Sequence, residues 1–335
     1  MVASDELLSI RAAELYYEED KTQDEIGQVL RLTRWKVGRL LAQAKANGFI
    51  RIEIVHPRAR RLPIERRLRD ELGLRDAIVV SSAGVHGEDE LQSRTAQAAA
   101  DYLTSLRPVP RALGISWGRT LFEVSQHLRD GWAAGVNVVQ INGGVSLNKR
   151  AGTAATTAVS IAHKGGGSAT LLPSPAILER LETKEAIEND RAVSAVLELA
   201  ASASAYLFSA GAADDNSVHI DSGYLTADDV QELVRKGAVG DVVGRYIDAD
   251  GNIVDPGLDA RTIGLGLDRL RASPTSIAVI SGSVKHAVAA AVVRSHLCSV
   301  LITDEDTALS LLDEPSPHRT ADPLHPAQHP LKDTP

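Results

Sequence analysis

From Asp76 onward, seven short apolar runs alternate with amphipathic stretches, and this alternation restricts the possible folds more than any other feature of the chain. The runs are AIVV (77–80), ALGIS (112–116), VNVVQI (136–141), SATLLP (168–173), AYLFS (205–209), SIAVIS (276–281) and SVLIT (299–303). Strands that are apolar on both faces and separated by helices predict a parallel sheet covered on both sides, an α/β domain. On such sheets ligands bind beyond the carboxyl ends of the strands. One stretch departs from the pattern: GAVGDVVGRYIDADGNIVD (237–255) reads as a glycine-bracketed strand followed by a tight Asp-Gly turn. Aromatics are only 4% of the chain, so the core must be built from Ala, Val, Leu and Ile.

The first 57 residues follow a different rule. Asp5 to Glu19 has apolar residues near helical spacing and ends at the charged run EEDK. Thr22, followed three residues later by Glu25, is a capping-box signature opening QDEIGQVL, with Ile26, Val29 and Leu30 as the buried stripe. Thr33 then caps a third helix in which Val37, Leu40, Leu41 and Ala44 face inward and Gly48 is the stop. FIRIEIV alternates apolar and charged residues, as a half-buried strand does. Three helices with a tight turn before the third, then a strand, predict a winged helix-turn-helix.

Charge is distributed to match. Residues 31–61 carry nine basic side chains against the single acid Glu53, whereas the whole chain has a net charge of −8. A local +8 block is the footprint that phosphate contact demands, so the expected partner of this head is double-stranded operator DNA. Thr33 and Arg34 fall in the first turn of the third helix, where base edges are met, and Arg34 suits a bidentate contact to guanine. Lys36 and Arg39 suit phosphates, as do Thr22 and Gln23 at the start of the preceding helix. Trp35 fits either the core, which is favoured, or a platform against the sugar-phosphate backbone.

The single cysteine, Cys298, lies in an apolar run and is expected to be a buried, reduced thiol, which favours a reducing compartment. MVASDELLSIRAAEL lacks the basic and apolar regions of a signal peptide, and no stretch approaches a membrane span. A cytoplasmic protein with no membrane contact is expected. Pro63 to Leu72 reads as a linker helix, within a linker at 58–75 that joins the head (1–57) to the sheet domain (76–312). Residues 313–335 are rich in proline and histidine and are expected to be a disordered tail. There, Pro326 and Pro330 break the helix that a metal pair of His325 and His329 would need, so neither metal nor cofactor is expected.

KTQDEIGQVLRLTRWKVGRLLAQAKANGFIRIEI resembles the N-terminus of the SorC-type sugar-binding transcriptional regulators, a bacterial family that includes some deoxyribonucleoside regulators. Three positions depart from that family's pattern: Gly27 replaces the usual Ala, Arg31 the usual Gly of the turn, and Thr33 the usual Ser. The resemblance runs on through GISWGRT (114–120), QINGG (140–144), GAVGDVVGRYID (237–248), SGSVKHAVAAAV (281–292) and LITDEDTALSLL (301–312). It implies a Rossmann-like sugar-binding domain similar in fold to sugar-phosphate isomerases and deaminases. By the family's pattern, Arg119, Thr120, Asn142, Asp241 and Lys285 correspond to positions that contact the effector.

The residues themselves point the same way. GISWGRT is a strand, a loop around Gly118 and a helix start, so backbone amides with Ser116, Arg119 and Thr120 form a natural phosphate seat, unless the loop is a simple tight turn. Asn142 and Gly143 end the central strand, where glycine allows close backbone approach and Asn reads hydroxyls. Thr153 follows at the next helix start, and Asp241 suits a pair of sugar hydroxyls. Lys285 opens a helix against the dipole and therefore calls for an anion. The expected function is operator binding controlled by a sugar or sugar phosphate, in a homodimer or homotetramer. The alternative is a sugar-phosphate isomerase or deaminase, which needs a carboxylate and a base converging on the sugar carbons. Asp241 and Lys285 could do this on paper, but the sequence shows no His-Glu or Cys-His constellation, and enzymes of this type rarely carry a helix-turn-helix.

Overall fold

The structure is a computed structural model and describes residues 2–50, 56, 59–144 and 154–313. The chain divides into two compact units, residues 1–55 and 56–335. Most of the expected FIRIEIV strand, Thr153, and the tail beyond Asp313 lie outside the described residues. Among the described residues no helix is long and apolar enough to cross a membrane.

The first unit contains α1 (Val2–Tyr17), α2 (Gln23–Leu30) and α3 (Arg34–Ala46). Its core joins Ala12, Ala13 and Leu15 to Ile26 and to Val37, Leu40, Leu41 and Ala44, the face expected of the third helix. Val29, expected in the stripe of α2, is instead exposed, because Ile26 and Leu30 set the inward face of this two-turn helix. Arg31 ends α2 in the left-handed conformation, at φ 57°.

The second unit begins with α4 (Leu62–Leu72), β1 (Asp76–Val80), α5 (Glu88–Ser105), β2 (Ala112–Ile115) and α6 (Arg119–His127). Next come β3 (Asn137–Gln140), α7 (Ala154–Lys164), β4 (Ser168–Thr170), α8 (Leu181–Glu188), α9 (Arg191–Ala201) and β5 (Ala205–Phe208). A smaller lobe follows: β6 (Ala210–Ala212), α10 (Val218–Asp221), α11 (Ala227–Arg235), β7 (Gly240–Val242), β8 (Arg245–Ile247) and α12 (Pro256–Ala260). The unit closes with α13 (Leu267–Ala272), β9 (Ser276–Val279), a 3-10 turn (Ser283–Lys285), α14 (His286–Arg294), β10 (Val300–Asp304) and α15 (Glu305–Asp313).

All seven apolar runs are strands of one parallel sheet, ordered β1-β10-β9-β5-β2-β3-β4. Successive strand residues feed opposite cores, which is why the runs are apolar throughout. Val79, Phe208 and Ala278 pack with α4, α14 and α15 on one side; Ile78, Leu207 and Ile277 pack with α5, α6 and α7 on the other. β6, β7 and β8 form a separate antiparallel sheet. Its β7–β8 turn places both Val243 and Gly244 at positive φ, and the expected Asp-Gly turn follows at Asp248–Gly251.

α4 is not a free linker. Leu68 is fully buried in the core, and the buried Glu65 carboxylate accepts from the Val79 amide at 2.9 Å and from Arg60 at 2.7 and 2.8 Å. Its amphipathic pattern with Pro63 at the start looks the same whether the helix packs or spans.

The sheet order reverses at β2. From there the chain runs outward through β3 and β4, while β5, β9 and β10 lie on the other side. The loops leaving β2 and β5 therefore diverge and open a crevice at the carboxyl edge of the sheet.

Candidate DNA interface and effector pocket

The start of α3 is built by its cap. The Thr33 hydroxyl accepts from the Lys36 amide at 3.3 Å, which projects Arg34 and Trp35 from the first turn. Arg34 is largely exposed and lies 3.5 Å from Asp24 on α2. Trp35, favoured for the core, is 74% exposed instead, because the core face is filled by Val37, Leu40, Leu41 and Ala44. The Arg39 guanidinium, one turn on, sits 5.4 Å from the Trp35 ring centroid.

Thr22 is already engaged. Its hydroxyl accepts from the Glu25 amide while its own amide donates to Glu25 Oε2 at 2.8 Å, the reciprocal box expected from the sequence. This pairing holds the Glu25 carboxyl below its ordinary range. Gln23 is half-buried and its amide oxygen lies over Gly38, so it braces α2 against α3.

In the second unit, a cavity of ≈ 110 Å³ occupies the crevice at the sheet's reversal. The loop after β2 supplies Ser116, Gly118, Arg119 and Thr120, and the end of β3 supplies Asn142. Strand β7 of the small sheet supplies Asp241, and the 3-10 turn supplies Lys285. Seven of the nine expected effector residues thus converge, from four separate parts of the chain. Thr153 lies outside the described residues. Gly143 is not in the wall. Its carbonyl accepts from Trp117 Nε1 at 2.8 Å, and a Cβ there would collide with the Pro175 backbone, so its smallness serves packing beneath the pocket.

Arg119 and Lys285 share the pocket wall with the carboxylates of Asp214 and Asp241. Arg119 is exposed at the start of α6, and among the described residues no carboxylate lies within ion-pair distance of Arg119 or Lys285. Burial, with the positive charge of Arg119 added, lowers the Lys285 pKa from 10.5 to about 8, although Asp241, Asp214 and Glu88 act in the opposite direction. Asn142 is 2% exposed and its Oδ1 has no hydrogen-bond partner among the described residues. A buried amide oxygen without a donor costs free energy that a ligand hydroxyl can recover. Asp241 Oδ2 accepts from the Gly244 amide at 3.1 Å, which fixes one of its two oxygens.

Among the wall and supporting residues that were not foreseen, three form one hydrogen-bonded group. His219 is buried, with Nδ1 3.1 Å from Tyr246 Oη, and that hydroxyl is 3.2 Å from Ser217 Oγ. Burial raises the Tyr246 pKa, which keeps the phenol neutral. These residues come from AADDNSVHIDSGY, whose turn-forming composition reads only as a loop, and from one strand of the hairpin. Among the described residues no group of His, Cys, Asp and Glu is arranged to hold a metal.

Residues 56–313 match the Sugar-bind family, a sugar-binding domain. The chain is 31% identical over 312 residues to the deoxyribonucleoside regulator of Bacillus subtilis, covering 92% of this chain and 97% of that one. It is 29% identical over 319 residues to the transcriptional regulator LsrR of Klebsiella pneumoniae, covering 93% and 94%. Among solved structures it resembles the full-length sorbitol operon regulator SorC of Klebsiella pneumoniae, with a TM-score of 0.71, 26% identity, and coverage of 91% and 98%. These relatives are regulators and not enzymes.

Proposed function

The chain belongs to the SorC-type family of sugar-binding transcriptional regulators, and from that premise we propose which residues join its two activities and what kind of effector it takes. It is a sugar-responsive DNA-binding regulator. In our reading the effector is a phosphorylated sugar. Its phosphate sits on the Gly118–Thr120 loop between Arg119 and Lys285, and its hydroxyls meet Asn142, Asp241 and Ser116. The observation that carries this reading is the pair of cations, close enough that one depresses the pKa of the other, with no carboxylate in ion-pair reach among the described residues. A dianion seated between the two cations gives both a direct partner, which Asp214 and Asp241 in the same wall do not. The head reads operator DNA through the first turn of α3, with Arg34 on base edges and Lys36 and Arg39 on phosphates. The regulator works as a homodimer or homotetramer, and effector binding shifts the spacing of its paired heads.

The names of the relatives supply the first ligands of the panel, a deoxyribonucleoside and sorbitol, and the phosphate ester of each is added to them. A thermal-shift screen of this panel, widened to other sugars and polyols, followed by titration of wild type and Arg119→Ala, tests the assignment. We expect a strong preference for the ester that shrinks roughly tenfold to a hundredfold in the variant, the size of a charge-assisted contact of about 1.5–3 kcal/mol. Equal affinity for ester and free sugar in the wild type overturns the phosphate seat and leaves the regulator unchanged.

A further inference from the structure

Trp35 has the highest exposure of any large hydrophobic side chain among the described residues. It stands on the first turn of α3, one residue past Arg34, on the side away from the buried face of the helix. A large aromatic left in water on the first turn of a basic helix is placed to meet an apolar surface that arrives from outside. Arg39 holds the ring from one side, which limits the swing of both groups before anything binds. Beside them lies a shallow hollow lined by Gln23, Arg34 and Gly38. α3 carries Arg34, Lys36, Arg39 and Lys45 and no acid, so what it meets is a polyanion.

The two properties together narrow the occupant. A polyanion that also offers an apolar patch to the first turn of such a helix is duplex DNA entered by the major groove. There the base edges present one apolar group, the 5-methyl of thymine. We propose that Trp35, steadied by Arg39, reads a thymine methyl next to the base pair addressed by Arg34, and so is a specificity-determining residue. The inference rests on α3 being the helix that enters the groove. A ring packed on the sugar-phosphate backbone would add affinity without sequence preference.

The experiment uses the full chain and the tightest duplex it selects from a random-sequence pool. Each thymine of that duplex is replaced in turn by deoxyuridine, which removes the methyl and nothing else. We expect at least one position where the wild type loses about fourfold in affinity, the factor carried by one buried methyl. At that position Trp35→Ala binds both forms alike, Arg34→Ala keeps the difference, and Trp35→Phe keeps part of it. The exposure of Trp35 makes these substitutions harmless to the fold, and the uracil arm does not alter the protein. Indifference to every uracil replacement, with Trp35→Ala weakening all sequences equally, overturns the proposal. If Arg34→Ala and Lys36→Ala also leave DNA binding untouched, the base-reading role of α3 falls with it.

Discussion

At the scale of single residues, the DNA-reading head and the pocket make separable demands on their charges. Arg34→Ala should cut the preference for operator over scrambled duplex by about 1–3 kcal/mol, the size of one base contact, while Lys36→Ala should weaken both duplexes equally. Competition binding at fixed salt measures both, and an unchanged preference in Arg34→Ala would remove that side chain from base reading. Lys285 gives a pH signature. Its folded pKa of about 8 lies below its unfolded 10.5, so between those values the unfolded chain holds a proton that the folded one has lost. Stability without ligand should therefore rise with pH across that window. Affinity for an anionic effector should fall above pH 8, by at most about tenfold per unit, because the anion needs the proton back. A flat titration between pH 7 and 10 would mean that Lys285 does not face the anion. Arg119, Asn142 and Lys285 were legible because each sits at a strand end or helix start and within a motif of the family that the sequence resembles, and Asp241, inside β7, was legible from that motif. His219 and Ser217 were not, because the single helical turn of α10 is too short to show a period from which to infer direction.

At the scale of elements, the turn of the head concentrates strain in one residue. Arg31 holds a left-handed φ of 57°, and just before it a Cβ on Gly27 would come within 2.7 Å of the Leu32 carbonyl. Arg31→Gly should stabilise the head by about 1 kcal/mol through relief of the left-handed penalty, read as a higher melting temperature. Gly27→Ala should destabilise it, since the clash is with backbone and not with a movable side chain. If both variants melt like the wild type, the turn is not constrained as described. For α4, Glu65→Ala should cost the second unit roughly 1–3 kcal/mol, the price of a buried amide left without its acceptor. Denaturant titration checks this, and a change below about 0.5 kcal/mol would show that water replaces the carboxylate. Six of the seven strands could be seen in the sequence because burial on both faces is written into nearly every residue, while β4, at the margin and partly exposed, shows itself only through its apolar end LLP. The role of α4 could not, since what an amphipathic helix covers depends on the neighbour that reaches it, here β1.

At the scale of the whole molecule, the two compact units predict two domains that fold independently. A fragment beginning at His56 should fold and bind every ligand the full chain binds, whereas one beginning at Leu74 should not, because it lacks Glu65 and Leu68. Circular dichroism and ligand titration of the two fragments decide it: a blind or aggregated longer fragment counts against independence, and a competent shorter one against the packing of α4. One detail of this unit has a wider effect. The Arg61 amide donates to the Val79 carbonyl at 2.9 Å, the Ser81 amide to the Ala59 carbonyl at 3.0 Å, and Arg60 bridges Val80 antiparallel, all along β1 at one margin of the sheet. An open margin is a template on which a foreign strand can add and fibres can grow. Residues 59–61 occupy that template with three residues of the chain's own backbone. The opposite margin is β4, three residues long, which offers an incoming strand too short a ladder to hold. The sheet is thus blunted at both sides against runaway self-association.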